Sequence, residues 1–304
     1  DSYRSLATLC GKSDGPSIPE WPPMLSELSL RFVSSCDHLS LVFPILPRML
    51  RSCTISVQHK TTWDANHFKW SELPPLLELL SIDETDNLEP SHLAQLPQTL
   101  TALHVFTTNP LSEESLAALP RGLKSLRRSV LDLYDTEHAL ALPRGLTEID
   151  ETTEILLDVL PSMPHGLKTL VVMNENKVPW PKNFVFSPSL TFLYLGLPQD
   201  DVFTHLPSHL TKLSSWNGKL TPGILKTFPT SLQYLSLNYP EPEDNDGLVF
   251  DDIVELLPPN LTELHLFPSD RQLRLSEKTA RLFPRSLTLL DINTGIFAEE
   301  GIFD

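Results

Sequence analysis

Cysteine is scarce in this chain, and the three that occur are Cys10, Cys36 and Cys53. An odd and low count does not suit a disulfide framework. No C-x-x-C pair or other metal-ligand spacing appears, so we expect neither a metal site nor a cofactor. Cys53 stands where other copies of the repeat described below carry leucine, and we expect it to be a small core residue.

Long apolar runs and basic clusters are also missing. No stretch of about 18 apolar residues occurs, so the sequence predicts no membrane span. The chain has 23 basic residues against 39 acidic ones, and its formal net charge is -16. Because the phosphate backbone of a nucleic acid attracts clustered lysine and arginine, this balance argues against a nucleic-acid partner. The acidity suits a solvated surface or a basic protein partner.

The usual signatures of an enzyme are absent as well. The 11 glycines form no phosphate-cradling loop, and those in LPRGL and MPHGL belong to a repeated turn. Of the ten histidines, His104 and His265 are expected on the concave face, and neither has a nearby serine or cysteine in a recognisable nucleophile arrangement. We therefore predict that the chain is not an enzyme.

Proline is plentiful, and much of its total of 28 belongs to a repeat. The pattern Leu-Pro-x-x-Leu-x-x-Leu-x-Leu, or a close variant, recurs twelve times with starts 20 to 29 residues apart. A period of this size is typical of a solenoid, a stack of small units with an extended binding face. The copies begin at Trp21, Leu46, Leu73, Leu96, Leu119, Leu142, Met163, Phe186, Leu206, Phe228, Leu257 and Phe283.

The two halves of each repeat predict different structures. The x-Leu-x-Leu half alternates apolar and variable residues, so in Leu264-His265-Leu266 the leucines should point into the core and His265 outward. Strands from successive repeats would pair in parallel, and such a sheet needs its other face covered. The second half often starts with a helix N-cap such as Ser112 and ends at a proline, which predicts a short helix or a 3₁₀ turn.

These motifs resemble the leucine-rich-repeat superfamily over roughly residues 21–293. The Leu-Pro opening followed by Leu-Thr-x-Leu is similar to repeats of slime-mould and fungal proteins, and to short repeats of bacterial effectors. The asparagine that many such repeats place after the strand is mostly missing, and Asn174, Asn238 and Asn293 are the nearest approaches.

The resemblance implies an α/β solenoid with a parallel inner sheet and short outer helices or turns. We expect a degenerate N-terminal repeat or cap over residues 1–20 and a solenoid of about twelve repeats over residues 21–295. A C-terminal cap segment is expected over residues 296–304.

The alternation also predicts the side chains on the concave face of the sheet. Phe192, Tyr194, Trp216 and Tyr234 come from three consecutive repeats, at equivalent or adjacent strand positions. Strands about 4.8 Å apart would bring these rings together on one surface. Exposed aromatic clusters mark binding sites, because tyrosine and tryptophan combine apolar area with a polar group. The other residues predicted to bind the ligand are Lys212, His265, Phe267, Glu148 and Asp150.

Two kinds of charge are expected on this face. Glu148 and Asp150 form an acidic pair, which can serve acid–base chemistry but on an inner strand is more often a recognition patch for a basic partner. Lys212 and His265, beside the aromatic residues, are expected to contact a carboxylate of the ligand.

The resemblance implies non-catalytic recognition of a protein or peptide by the concave face, as a scaffold or adaptor. Two other hypotheses stay open: a receptor for a glycan or small ligand that uses the aromatic residues, and the repeat region of an effector or ligase whose catalytic domain lies outside this chain. The cysteine-rich caps of extracellular members are not visible, and no signal-peptide pattern appears. We therefore expect an intracellular, cytoplasmic protein, and we leave its oligomeric state open.

Overall fold

Every copy of the motif forms one strand of parallel sheet, as the alternation predicts. Each strand begins six residues after the first residue of its motif, from Trp21 and Glu27 to Phe283 and Leu289. The computed structural model describes residues 21–32, 43–57, 63–107, 110–127, 132–133, 135–149, 154–155, 157–173, 185–196, 200–216, 222–239, 254–268 and 277–292. The two caps expected over 1–20 and 296–304 lie outside these residues, as does Asp150.

The chain forms two compact units. The first comprises Asp1–Thr153 and Ser162–Gly166, and the second comprises Glu154–Pro161 and Leu167–Asp304. In the first unit, parallel strands pair in the order β1-β2-β4-β5-β6-β8, and the short β3 pairs with β4. Its strands are β1 (Glu27–Phe32), β2 (Ser52–Val57), β3 (Trp63–Asp64), β4 (Leu79–Asp86), β5 (Ala102–Thr107), β6 (Ser125–Arg127), β7 (Asp132–Leu133) and β8 (Glu148–Ile149).

The second unit repeats the same arrangement. Its parallel strands pair in sequence order from β10 to β15. Sequential order follows from the repeat, because each strand pairs with the strand of the next copy. The strands of this unit are β9 (Glu154–Ile155), β10 (Thr169–Met173), β11 (Phe192–Gly196), β12 (Lys212–Trp216), β13 (Tyr234–Tyr239), β14 (Glu263–Pro268) and β15 (Leu289–Ile292).

Leucines at fixed positions of the motif build the core of each unit. Leu210 before β12 and Leu213 within it are both 0% exposed, and their equivalents in the other repeats are mostly buried as well. Each fully buried leucine side chain stabilises the fold by roughly 1.5–3 kcal/mol relative to an exposed one. Cys53 occupies the position of Leu213 in β2 and is buried as predicted, and this burial raises the pKa of its thiol to about 12.

Short helices and 3₁₀ turns cover the core side of the sheet in each unit and form the predicted outer layer. The α-helices are α1 (Pro90–Leu93), α2 (Glu113–Ala118), α3 (Thr136–Ala141), α4 (Pro222–Leu225) and α5 (Glu277–Leu282). Ser112 caps α2, because its Oγ accepts a hydrogen bond from the backbone N–H of Ser115 at 3.2 Å. The 3₁₀ turns are Phe43–Ile45, Ala65–His67, Trp70–Glu72, Leu157–Ser162, Asp200–His205 and Val254–Leu256.

Threonine hydroxyl groups link six of the twelve repeats to the preceding repeat at the start of the strands. The backbone N–H of Thr211 and its Oγ1 both donate to the carbonyl oxygen of Thr191, each at 3.0 Å. The hydroxyl of Thr191 in turn donates to the carbonyl of Lys168 at 3.2 Å. The recurring Leu-Thr of the motif thus fixes the register between neighbouring repeats. The same bond is made by Thr101, Thr147, Thr262 and Thr288.

Candidate functional site

The β10–β15 sheet has one side that faces away from the core, and we call it the open face. Alternate residues of each strand lie on it, and the parallel register aligns them in three rows that cross the strands. Row one holds Thr169, Phe192, Lys212, Tyr234, Glu263 and Leu289. Row two holds Val171, Tyr194, Ser214, Ser236, His265 and Asp291. Row three holds Met173, Gly196, Trp216, Asn238 and Phe267.

Seven of the nine residues predicted to bind the ligand lie on this face, on the neighbouring strands β11 to β14. The other two are the acidic pair. Glu148 belongs to β8 of the first unit, and Asp150 lies outside the described residues. The seven are Phe192, Tyr194, Lys212, Trp216, Tyr234, His265 and Phe267.

The four predicted aromatic residues share the face without forming one stack. Phe192 and Tyr234 lie in the same row, but Lys212 of the intervening strand stands between them. Tyr194 lies in row two and Trp216 in row three. The alternation predicts the face of each ring correctly, whereas the row depends on the register between strands.

Trp216 is the most exposed of the four rings. Its residue is 43% exposed, although the preceding Ser215 is buried in the core. Phe192, Tyr194 and Tyr234 are half-buried, so Phe192 is not enclosed by its neighbours. Partial burial raises the pKa of the Tyr194 phenol, which keeps its hydroxyl protonated as a hydrogen-bond donor. The face therefore offers one projecting indole beside half-buried rings.

A second group of rings, at the β15 side of the face, surrounds His265. The ring centroids of Tyr234 and His265 are 5.2 Å apart, and those of His265 and Phe267 are 6.3 Å apart at an interplanar angle of 14°. His265 Nδ1 lies 3.2 Å from Asp291 Oδ2, and its Nε2 lies 3.9 Å from Glu263 Oε2. Both ring nitrogens of His265 therefore already face carboxylates of this chain. This weakens the physical argument that His265 contacts a carboxylate of the ligand, which stays a prediction.

Glu148 of the first unit forms an ion pair with Arg127 of the neighbouring strand. Arg127 Nη2 donates to Glu148 Oε2 at 2.8 Å, and the hydroxyl of Ser125 donates to the same oxygen at 3.0 Å. The charge of Glu148 is thus largely compensated within the unit. Its role as a recognition patch for a basic partner stays a prediction, and this pairing weakens the physical argument for it.

The described residues hold little that suits catalysis. Within the described ranges, no three histidine, cysteine, aspartate or glutamate side chains come together as metal ligands. Cys53 is buried, and its raised pKa keeps the thiol protonated and poorly nucleophilic at neutral pH. No helix in the described part of the chain is long and apolar enough to cross a membrane.

Glu263 and Asp291 are site residues that the predicted set leaves out. Asp291 follows the alternation in the last strand, so its position on the open face is readable from the sequence. Glu263 starts β14 and is in register with Tyr234, one alternation step before His265. Only the contact of Asp291 with His265 depends on pairing across strands, because Glu263 stands two residues before His265 on the same strand.

No protein-family model matches the sequence, and no curated protein matches it. Among solved structures, the chain is similar to CroV588, described as a novel circular leucine-rich-repeat protein. That match has a TM-score of 0.50 and 21% identity, and it covers 87% of this chain and 36% of that one. The chain thus spans about a third of the length of that protein, and the likeness shows the fold.

Two further solved structures match less well. LegL7, a leucine-rich-repeat protein from Legionella pneumophila, has a TM-score of 0.45 and 17% identity, with 84% of this chain and 88% of that chain covered. The Drosophila Toll–Spatzle complex contains a chain with a TM-score of 0.41 and 19% identity, with 79% of this chain and 39% of that chain covered.

Proposed function

We propose that this protein, a member of the leucine-rich-repeat superfamily by its fold, binds a protein partner on the open face of its second unit. The main support is the 43% exposure of Trp216 on a face that also carries Tyr194, Tyr234 and Phe267. Tryptophan and tyrosine are enriched among the residues that dominate binding energy at protein interfaces.

The rigidity of the scaffold favours such a role. Leu213 and Ser215 are buried on either side of Ser214, and the hydroxyl bond of Thr211 to the preceding repeat fixes the start of the strand. Side chains between buried neighbours lose less freedom when a partner binds than side chains on a mobile loop do. We therefore propose an adaptor or scaffold that presents a fixed surface and carries out no chemical step of its own.

The negative charge of the chain favours a basic partner protein over an acidic one. A formal net charge of -16 repels acidic proteins at long range and accelerates encounter with basic ones. We therefore propose a partner with a basic surface.

The test is a pair of affinity measurements on one partner. A protein captured from a lysate of the source would be purified, and its affinity would then be measured for wild type and for a Tyr194→Ala/Trp216→Ala variant. Loss of two interface anchors is expected to weaken binding at least about tenfold, or ~1.4 kcal/mol. Intact folding of the variant is checked by its melting temperature.

Lys226→Ala is the matched control. Lys226 is exposed to solvent directly after α4, on the helical side of the same unit and away from the open face. It is expected to bind as wild type does. Equal affinity of the double variant and wild type would contradict the proposal. Binding of isolated sugars in place of any protein, lost on Trp216→Ala, would favour the glycan receptor.

A further inference from the structure

Three rings on β13 and β14 are in contact with one another across the rows of the open face. Tyr234 in row one lies against His265 in row two, with centroids 5.2 Å apart. His265 lies against Phe267 in row three, and the two rings are nearly parallel, with 14° between their planes. His265 is the inner member of the group, since its side chain is only 19% exposed.

Two carboxylates flank these rings. The side chains of Glu263 and Asp291 are 48% and 51% exposed, so each keeps oxygen lone pairs open to solvent beside its contact with His265. Lys212 shares the row of Glu263, but it lies two strands away, beyond Tyr234. The surface around His265 therefore combines flat rings with two carboxylates that are each about half exposed.

We propose that this group, formed by Tyr234, His265, Phe267, Glu263 and Asp291, is a subsite for an arginine side chain of the partner. The inference rests on the proposed function, because it names the chemical group of the partner that the open face recognises. A guanidinium group is planar, stacks on aromatic rings and donates paired hydrogen bonds to carboxylates. The subsite supplies both kinds of contact within one small area.

Arginine fits this subsite better than the other charged groups. A lysine ammonium would meet the same charges, but it lacks the flat face that stacks on parallel rings and the fork that matches a carboxylate. A phosphate or carboxylate would be repelled by Glu263 and Asp291. His265 then acts as a positioning residue: it holds Asp291 at 3.2 Å and supports the rings on either side.

The experiment uses the whole chain and a small probe. N-acetyl-arginine amide is titrated into the protein, and the ring signals of His265 and Tyr234 are followed by NMR. N-acetyl-citrulline amide is the matched probe, because it keeps the shape of arginine and lacks its charge. N-acetyl-lysine amide keeps the charge and lacks the plane. These comparisons use the wild-type protein, so they hold even if a variant fails to fold.

The variants are Glu263→Gln/Asp291→Asn and, as control, Glu255→Gln on the covered side of the same unit. We expect saturable shifts with the arginine probe, and binding about tenfold weaker for citrulline, for lysine and for the double variant. The control variant should bind the arginine probe as wild type does.

Three results would overturn the arginine subsite: no saturable shift, equal binding of citrulline or lysine, or full arginine binding by the double variant. The probe needs no partner, so this test is separate from that of the proposed function. A partner that depends on Trp216, together with a protein that ignores the arginine probe, would remove the subsite and leave the proposed function standing.

Discussion

The hydroxyl of Ser231 lies 2.8 Å from the carbonyl oxygen of Ser208 and 2.7 Å from that of Leu210, one repeat earlier. Ser231 is two residues after the proline of its motif, and its one proton is shared between two turn carbonyls. Ser286 makes the same pair of bonds, to Pro259 and Leu261 at 2.9 and 2.7 Å, and Thr99 makes it to Pro75 and Leu77. This turn position is therefore a second point at which side chains tie neighbouring repeats together.

Gly122 occupies this turn position in its own repeat, and Gly122→Ser is expected to stabilise the fold. A Cβ at Gly122 would lie 3.7 Å from the carbonyl oxygen of Gln98 and 4.0 Å from that of Leu100, the equivalents of Ser208 and Leu210. One added hydrogen bond and a less flexible unfolded chain should raise the free energy of unfolding by about 1 kcal/mol. Chemical denaturation measures the change.

Gly122→Ala separates the two contributions, because it reduces the freedom of the unfolded chain without adding a hydroxyl. The free energy of unfolding of Gly122→Ala should exceed that of wild type by only about 0.5 kcal/mol. If serine were no better than alanine, the added hydrogen bond would contribute nothing.

Ser215→Ala is also expected to stabilise the protein. Ser215 is 3% exposed in the core of β12, and its hydroxyl has no hydrogen-bond partner among the described residues. Its neighbours in register, Leu195 and Leu237, are buried leucines. Removal of a buried unpaired hydroxyl should raise the free energy of unfolding by about 1 kcal/mol. Ser214→Ala on the open face should stay within about 0.5 kcal/mol of wild type, and a loss of stability in Ser215→Ala would count against this reasoning.

The thiol of Cys53 should resist modification in the folded protein. Burial raises its pKa from 9.0 to about 12, so it stays protonated and shielded at pH 8 (near neutral). In a Cys10→Ser/Cys36→Ser variant, a thiol reagent should label nothing before denaturant is added and one group afterwards. Rapid labelling of the folded variant would show that β2 opens easily.

The same pKa shift sets a direction for stability against pH. Because the folded thiol has the higher pKa, its contribution to stability is complete below about pH 9 and is lost as the pH rises toward 12. Cys53→Ala has no thiol and should lose less stability over this range than the Cys10→Ser/Cys36→Ser protein. If both proteins lost the same stability between pH 9 and about 12, Cys53 would not be the cause of that loss.

Glu148→Gln is expected to weaken partner binding far less than loss of Trp216. Glu148 is held by Arg127 at 2.8 Å and by Ser125 at 3.0 Å, so little of its charge is free for a ligand. Glu148→Gln should lower the free energy of unfolding by no more than about 1 kcal/mol, since both members of the Arg127–Glu148 ion pair are partly exposed. A large loss of affinity in Glu148→Gln would restore the predicted acidic recognition patch.

The fold could be predicted because the repeat fixes it at every copy. Strand starts, the inward leucines and the buried Cys53 all follow from the position within the motif. The threonine of the Leu-Thr pair was also visible in the sequence, but its bond to the preceding repeat appears only when two copies are stacked. The local pattern therefore predicts each layer, and the stack supplies the contacts between layers.

The site could be predicted only in part for the same reason. Alternation places Tyr194 and Trp216 on one face, and their different positions within the motif put them in rows two and three. Pairing across strands brings Asp291 to His265 and Arg127 to Glu148, and neither pair lies within one copy of the motif. The charge of a site on such a sheet is thus set by several repeats together.

The most direct test of the account is site-specific photo-crosslinking to the purified partner. A photoreactive amino acid would be placed at position 216 on the open face and, in a separate protein, at position 226 on the covered side of the same unit. We expect a crosslink to the partner from position 216 and none from position 226. A crosslink from position 226 alone would contradict the claim that the open face of the second unit binds the partner.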